Sequence, residues 1–342
     1  IAETVPIILV AVTLAVAAVP EGLPAVVTLT LALGSKKMLK KNALVRRLPV
    51  VESLGSVDVI VTDKTGTLTE GVMTVKNLFY SMEEVSVTGT GTDTEGKFKI
   101  DENEIDTDHI QPLLECGVKC NNAEKAPESE EENFYGEPTE ISLLVSGYKA
   151  GIKDKGERVR EIPFSSDRKR MTVLNNDGMA YMKGAPEVVL ERCNRILLDG
   201  EVKDLTEERR NRVLDKNHEF AEEALRVLGF AHKEQSEYDA DTEEVESHMI
   251  FLGLQGMIDP PREEVNEAVD DCRNAGIKTV MATGDNVETA KAIGEQIGFS
   301  TENALTGSEV EDMSESELSS AVTETEIFAR VSPKHKVDIS KA

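Results

Sequence analysis

An apolar run that ends in an aspartate constrains this chain more than any other feature. Residues 57–62, VDVIVT, read as a buried strand, and the segment DKTGTLT follows directly at residues 63–69. An aspartate at the carboxyl end of such a strand, here Asp63, lies where open α/β sheets bind ligands. The glycine and threonines after it can offer backbone N–H groups and hydroxyls to a phosphate. A carboxylate in that position can act as a nucleophile and become an aspartyl phosphate.

The heptapeptide matches the phosphorylation motif of the P-type cation-transporting ATPases, and the resemblance covers nearly the whole chain. It implies that Asp63 attacks the γ-phosphorus of ATP, and that Mg²⁺ is bound by the Asp63 carboxylate and the Thr65 backbone carbonyl. Related phosphatases carry a second aspartate at the position of Thr65, where it activates water. Without a general base there, attack by water is expected to be slow, so the phosphorylated protein should persist.

A later part of the chain is predicted to bring further groups to the same phosphates. Residues 277–282 read as a strand, and Thr283, Gly284 and Asp285 follow it in a turn before a helix, in a βαβ pattern. By resemblance to the family, Lys336 neutralises the transferred phosphoryl group and Arg330 lies near the nucleotide.

Two motifs between these segments resemble the nucleotide pocket of the family: FSSDRKRM at residues 164–171 and KGAPE at residues 183–187. Phe164 is expected to stack on adenine, and Gly184 to allow a close backbone approach. The residues that the resemblance assigns to ATP binding here are Glu140, Phe164, Lys169, Lys183, Gly184 and Arg226.

The chain departs from the calcium-pump pattern at one position of this pocket. Ser166 stands where calcium pumps often carry an arginine that contacts the nucleotide, and Arg168 or Arg170 are the candidates to replace it. The chain has no Gly-rich loop of the P-loop type, so a P-loop ATPase is not supported.

The fold is predicted to be α/β, with a discontinuous, haloacid-dehalogenase-like (Rossmann-like) phosphorylation domain. Its parts are expected at residues 44–75 and 259–342, the second part truncated. Short strands and helices between them are typical of an inserted α+β nucleotide-binding domain, over residues 76–258. Residues 1–43 are expected to form a transmembrane helix and a stalk. The two prolines of DPPR, at residues 259–262, predict a stiff connector.

A mainly apolar run at residues 5–33 is longer than the roughly 20 residues that a helix needs to cross a bilayer. The break PEGLP interrupts it at residues 20–24, and a glutamate at that depth indicates a functional site. Freed carbonyls at such a break can coordinate cations. Because basic residues follow at 36–47, the chain after about residue 35 is predicted to be cytoplasmic, in an integral protein of the cell membrane.

This break resembles the fourth transmembrane helix of calcium-pump-type ATPases. The resemblance implies that the transported cation is bound by the carbonyls of Val16, Ala17 and Val19 and by the carboxylate of Glu21. Oxygen ligands of this kind suit Ca²⁺, while Na⁺, H⁺ and Mn²⁺ remain open.

Composition excludes some functions and bounds others. The formal net charge is −26, so the surface should repel nucleic acid, and no nucleic-acid partner is expected. Acidic tracts at residues 124–133 and 235–247 are predicted to be solvated loops, and TGSE at 306–309 is interpreted as surface within an acidic loop. Cys116 and Cys120, spaced i and i+4, are predicted to be buried thiols rather than metal ligands.

The resemblance as a whole implies an internal fragment of an ATP-driven cation pump. Its expected partners are ATP, the cation, the lipid bilayer and the remaining segments of the same pump. Two alternatives stay open at this point: a membrane-anchored aspartyl-phosphate phosphatase, which Thr65 disfavours, and a nucleotide-sensing module without catalysis.

Overall fold

A computed structural model describes residues 4–17, 22–127 and 134–342. The chain divides into two compact units. One comprises Ile1–Ile60 with Asn274–Lys278, and the other comprises Val61–Arg273 with Thr279–Ala342.

Among its described residues, the first unit contains three helices: α1 Thr4–Ala17, α2 Leu23–Leu39 and α3 Pro49–Leu54. A proline in the first turn suits the start of a helix, and α2 has Pro24 there. Within the described ranges, no helix combines the length and the apolar character needed to cross a bilayer. The predicted membrane segment therefore stays a prediction.

The remaining helices lie in the later part of the chain. They are α4 Gln111–Lys119, α5 Pro138–Lys149, α6 Pro186–Glu191, α7 Glu207–Glu222, α8 Thr242–Val245, α9 Val265–Asn274, α10 Val287–Gln296, α11 Gly307–Asp312, α12 Glu315–Glu324 and α13 Pro333–Lys341. A short 3₁₀ helix covers Thr107–His109, and an irregular turn covers Lys64–Leu68.

The described strands form two larger sheets and one small ribbon. They are β1 Val59–Thr62, β2 Thr74–Tyr80, β3 Glu83–Val87, β4 Phe98–Ile100, β5 Asn103–Glu104, β6 Glu124–Lys125, β7 Phe134–Tyr135, β8 Arg158–Ile162, β9 Arg170–Asn175, β10 Met179–Gly184, β11 Cys193–Leu198, β12 Glu201–Asp204, β13 Arg226–Glu234, β14 Met249–Ile258, β15 Lys278–Ala282, β16 Leu305–Thr306 and β17 Ile327–Ala329.

The four-stranded sheet has the order β1-β15-β17-β16, and its last three strands pair in parallel. Apolar side chains of β15 and β17, such as Val280 and Phe328, form its core with residues of α11, α12 and α13. The prediction that β1 is buried is wrong, since Val59 and Ile60 are exposed. The physical reason is that β1 lies at the edge of this sheet.

The larger sheet has eleven strands, with the path β5-β4-β3-β2-β14-β13-β10-β9-β8, and β11 pairs with β14 and β12. Successive side chains of a strand face opposite sides of a sheet. On β13, Phe230 packs with Leu113 of α4 and Leu143 of α5, whereas Ala231 belongs to a cluster with residues of α6 and α7. Helices therefore cover both sides of the central strands, which gives a mixed α/β fold.

The prediction of a solvated loop at 235–247 is wrong, whereas TGSE lies at the surface, with Ser308 and Glu309 exposed, but begins a helix instead of forming a loop. In the tract at 235–247, residues 242–245 form α8 and Glu246 is fully buried, because arginines from other parts of the chain pair with it. At 306–309, Thr306 and Glu309 form a capping box that begins α11. The described part of the tract at 124–133 includes β6, and residues 128–133 lie outside the described ranges.

Candidate active site

Asp63 stands between β1 and the turn Lys64–Leu68. Its Oδ1 accepts a hydrogen bond from the backbone N–H of Lys64 at 2.8 Å. The turn closes where the N–H of Thr69 donates to the carbonyl of Lys64 at 3.0 Å. Gly66 has φ of 71°, in the left-handed region that favours glycine, which explains a glycine within this tight turn. The turn fixes the carboxylate at the strand end and leaves Thr65 exposed beside it.

A lysine from the far end of the chain meets this carboxylate. The Nζ of Lys336 lies 2.5 Å from Oδ2 of Asp63, across 273 residues of sequence. Lys336 lies on α13, whose first turn is fixed by a capping box between Ser332 and His335. The side chain of Lys336 is 31% exposed and that of Asp63 is 49% exposed, so this ion pair remains open to a ligand from solvent.

A second ion pair involves the first residue of the turn Lys64–Leu68. The Nζ of Lys64, which is buried, lies 2.7 Å from Oδ2 of Asp285 and 3.9 Å from Oδ2 of Asp259. Asp259 also accepts hydrogen bonds from the Thr69 hydroxyl at 2.6 Å and from the N–H of Gly71 at 2.7 Å. A buried carboxylate is stable only when it is paired and hydrogen-bonded in this way.

Sequence reasoning missed Lys64 and Asp259 as site residues. Lys64 was read only as part of the heptapeptide, and Asp259 only as the start of the stiff connector. A charged residue directly beside the apolar strand at 249–258 was the signal that could have identified Asp259, since it must find partners when buried.

The turns after β15 and β17 are joined by backbone hydrogen bonds. The N–H of Arg330 donates to the carbonyl of Asp285 at 2.8 Å, and the N–H of Val331 donates to the carbonyl of Thr283 at 3.0 Å. The Thr283 hydroxyl accepts from the N–H of Asp285 at 3.2 Å. Gly284 is exposed in this turn, with open space beside its Cα. These bonds bring Thr283, Asp285 and Arg330 to the same sheet end.

We call Asp63, Lys64, Asp285 and Lys336 the Asp63 site. It contains two ammonium groups: that of Lys336 pairs with the half-exposed carboxylate of Asp63, and that of Lys64 pairs with Asp285. Such groups can stabilise negative charge that develops on a transferring phosphoryl group. No group of three or more metal-ligating side chains occurs among the described residues. The donor set nevertheless fits Mg²⁺, which proteins often bind through one or two carboxylates, with water and phosphate oxygens completing the shell.

The other predicted residues centre on Lys183, a buried lysine on β10. Its Nζ lies 2.5 Å from Oε1 of Glu140, which is in the first turn of α5. Gly184 is close-packed: a Cβ there would lie 2.5 Å from the carbonyl oxygen of Lys169. That carbonyl accepts from the N–H of Ala185 at 2.9 Å. The structure thus brings Glu140, Lys183, Gly184 and Lys169 together, and we call these four the Lys183 site.

Phe164 is 59% exposed, which is unusual for a large apolar ring and leaves its face available for stacking. Arg226 begins β13 opposite Met257 and is exposed. In the described part of the chain, no hydrogen bond or ion pair joins its side chain to the Lys183 site. Arg168 and Arg170, the candidates to replace an arginine at Ser166, are both paired with Glu246 instead.

A buried thiol lies near the Lys183 site. Burial raises the pKa of Cys120 to about 11, although the charge of Lys183 acts in the opposite direction. Cys116 is also buried, and burial raises its pKa well above the usual value. Both thiols are therefore protonated at neutral pH and are poor nucleophiles. The prediction of buried thiols is confirmed.

The predicted cation ligands are described only in part. Val16 and Ala17 lie in the last turn of α1, while Val19 and Glu21 lie outside the described residues.

The family described as P-type ATPase, cytoplasmic domain N, matches residues 109–264. Calcium-transporting ATPase 1 of Bacillus cereus is 41% identical over 99% of this chain and 38% of its own length. Calcium-transporting ATPase of Bacillus subtilis is 40% identical over 97% of this chain and 39% of its own length. A cation-transporting ATPase of Synechocystis is 41% identical over 97% of this chain and 39% of its own length.

The chain thus spans about two fifths of the length of the curated relatives it matches. It belongs to the P-type ATPase family. Within that family it is similar to calcium-transporting ATPases, as the sequence motifs predicted.

Proposed function

We propose that this chain is the part of an ATP-driven cation pump that binds ATP and accepts its γ-phosphate on Asp63, and that the transported cation is Ca²⁺. The observation that carries the proposal is the contact between Asp63 and Lys336 at 2.5 Å, across 273 residues. A carboxylate at a strand end that is paired with a lysine is an arrangement suited to phosphoryl transfer to aspartate, because the lysine can neutralise the transferred charge.

In the proposed step, an Oδ atom of Asp63 attacks the γ-phosphorus of ATP. The new oxygen–phosphorus bond forms while the bond to the bridging oxygen breaks, and ADP leaves with that electron pair. Lys336 neutralises charge on the transferred oxygens, and Asp285 holds Lys64 through an ion pair. Placement and charge neutralisation supply most of the catalysis in reactions of this type.

The remaining groups of the site have supporting roles. Thr283, Gly284 and Asp285 offer backbone and side-chain groups to the phosphates, and Arg330 lies in the neighbouring turn. Mg²⁺ would be held by the Asp63 carboxylate and the Thr65 carbonyl, and would supply charge neutralisation between the phosphates. Thr65 carries no carboxylate that could activate water, which favours a persisting phosphorylated form over a phosphatase.

ATP would be bound through the Lys183 site. Lys183 and Lys169 provide positive charge, and Gly184 allows the backbone to approach the ligand closely. Phe164 presents an exposed ring to adenine. Glu140 orients Lys183 through their 2.5 Å contact, and Arg226 is a further candidate contact at the start of β13.

The rest of the organisation follows the same proposal. Residues 44–75 and 259–342 form a haloacid-dehalogenase-like phosphorylation domain, and residues 76–258 form the nucleotide-binding insert. Residues 1–43 cross the cell membrane and extend into a stalk, with the chain after about residue 35 in the cytoplasm. Val16, Ala17, Val19 and Glu21 bind the cation, together with other segments of the same pump.

Transport by the intact protein tests this proposal. Sealed vesicles that contain it should accumulate Ca²⁺ when ATP and Mg²⁺ are added outside, and Asp63→Asn should abolish uptake. Parallel assays with Na⁺, Mn²⁺ and a pH-sensitive dye test the other cations. If the vesicles take up one of these other cations but not Ca²⁺, the choice of ion is wrong. ATP-driven uptake by the Asp63→Asn variant would contradict the whole mechanism.

A further inference from the structure

A fully buried glutamate lies just before β14. The side chain of Glu246 is 0% exposed, and both carboxylate oxygens are engaged. Oε1 accepts from the Thr172 hydroxyl at 2.7 Å and from the guanidinium of Arg168, and Oε2 accepts from Nε of Arg170 at 2.8 Å. Burying a charge costs several kcal/mol unless its partners are well placed, so this cluster requires a fixed geometry.

The two arginines flank Lys169 in the motif that carries Phe164. Arg168 also donates to the carbonyl of Pro163 at 2.9 Å, and NH1 of Arg170 donates to the carbonyl of Arg168 at 3.2 Å. Hydrogen bonds therefore link residues within the segment 163–170 to one another and to the buried carboxylate of Glu246.

The two side chains of the motif that are proposed to contact ATP are exposed. Phe164 is 59% exposed, and Lys169 is exposed with φ of 51°, a left-handed conformation that lysine seldom adopts. Such strain persists only where the surroundings impose it. The backbone of Lys169 is held on both sides, by Ser165 at 2.7 Å and by Ala185 at 2.9 Å.

We propose that Glu246 is a positioning residue for nucleotide binding: it holds residues 163–170 in the shape that presents Phe164 and Lys169 to ATP. The inference rests on the proposed function, because it assumes that these two side chains bind the nucleotide. Glu246 itself lies too deep to touch a ligand. It therefore acts through the two arginines.

Fluorine NMR with 4-fluorophenylalanine at position 164 tests the proposal on the 342-residue chain. Glu246→Gln should shift or broaden the Phe164 signal in the absence of any nucleotide. It should also weaken ATP binding, measured by titration, about fivefold to tenfold, a range typical of coupled networks. Glu244→Gln, at an exposed position two residues away, is the matched control and should change neither quantity.

A structural role alone would give a different result. If Glu246→Gln lowers the melting temperature but leaves the Phe164 signal and ATP affinity unchanged, the proposal is wrong. Should that variant fail to fold, Arg170→Lys keeps the positive charge but removes the Nε donor, and it should perturb the Phe164 signal in the same direction. An unperturbed signal in Arg170→Lys would also overturn the proposal. Wild-type protein that binds no ATP would contradict the proposed function alone, because the nucleotide-free fluorine comparison still decides the positioning.

Discussion

At the Asp63 site the side chain of Asp63 is 49% exposed and that of its partner Lys336 is 31% exposed, and both lie where a strand ends or a helix begins. At the Lys183 site the side chain of Lys183 is 9% exposed, and that of Glu246, whose arginine partners flank Lys169 in sequence, is 0% exposed. Exposed ion pairs contribute about 0–1 kcal/mol to stability, whereas breaking a buried pair costs about 3–5 kcal/mol.

The comparison separates two kinds of residue. Asp63 and Lys336 are partly exposed and free to exchange partners when a ligand arrives, so substitutions of these two residues should affect chemistry much more than folding. Side chains around the Lys183 site are parts of a fixed frame, so substitutions there should affect folding and ligand binding together.

Lys336→Ala should lower the rate of phosphoryl transfer in the intact protein by about 10²–10³, because a charge that stabilises the transferring group is lost. The melting temperature should change little, since the pair with Asp63 is partly exposed. The rate is followed by rapid mixing with labelled ATP. Lys334→Ala, at an exposed position on the same helix, is the control and should react like the wild type. A large loss of stability in Lys336→Ala would break the contrast.

Gly184→Ala should destabilise the chain by about 1–3 kcal/mol, the usual cost of overpacking. The added Cβ would lie 2.5 Å from the carbonyl oxygen of Lys169 and 2.8 Å from Cα of Arg170, so backbone must move. Gly284→Ala is the matched change in the turn after β15, where nothing lies within 4 Å of the new atom, and its melting temperature should match the wild type. Equal melting temperatures for the two variants would show that the Lys183 site is not a rigid frame.

The buried carboxylate of Glu246 should make stability depend on pH. Burial alone would raise the pKa of Glu246, but hydrogen bonds from Arg168, Thr172 and Arg170 outweigh it and lower the pKa below its usual value. The unfolded chain therefore binds this proton more readily than the folded chain, and the stabilisation is lost as pH falls below about 4.3, the ordinary glutamate value.

Denaturant unfolding of wild type and Glu246→Gln at several pH values measures this effect. The difference in free energy of unfolding should be constant above about pH 5 and should narrow as the pH is lowered, since glutamine cannot titrate. A difference that is independent of pH down to acid denaturation would contradict the ionised, paired state of Glu246.

Local pattern correctly predicted two strands of the four-stranded sheet. The runs at 57–62 and 277–282 correspond to β1 Val59–Thr62 and β15 Lys278–Ala282, because apolar β-branched runs rarely form anything but a strand next to a turn. The local sequence pattern does not predict that β1 lies at the edge of its sheet, because strand order depends on contacts between residues far apart in sequence.

The charged networks were much harder to predict. Asp63 and Lys336 were matched through resemblance to a family, whereas the contacts of Lys64 with Asp285 and of Asp259 with Thr69 were not foreseen. Glu246 was assigned to a solvated tract because its neighbours are acidic. Its burial depends on arginines that lie 76 and 78 residues earlier, and no local feature reveals such a partner.

The most direct test of the central claim is the identity of the phosphorylated residue. Intact protein incubated briefly with labelled ATP, Mg²⁺ and Ca²⁺ should carry an acid-stable label that hydroxylamine removes, as expected for an acyl phosphate. Peptide mapping should place that label on Asp63, and Asp63→Asn should carry none. A label that persists in Asp63→Asn, or that maps to a hydroxyl side chain, would contradict the account.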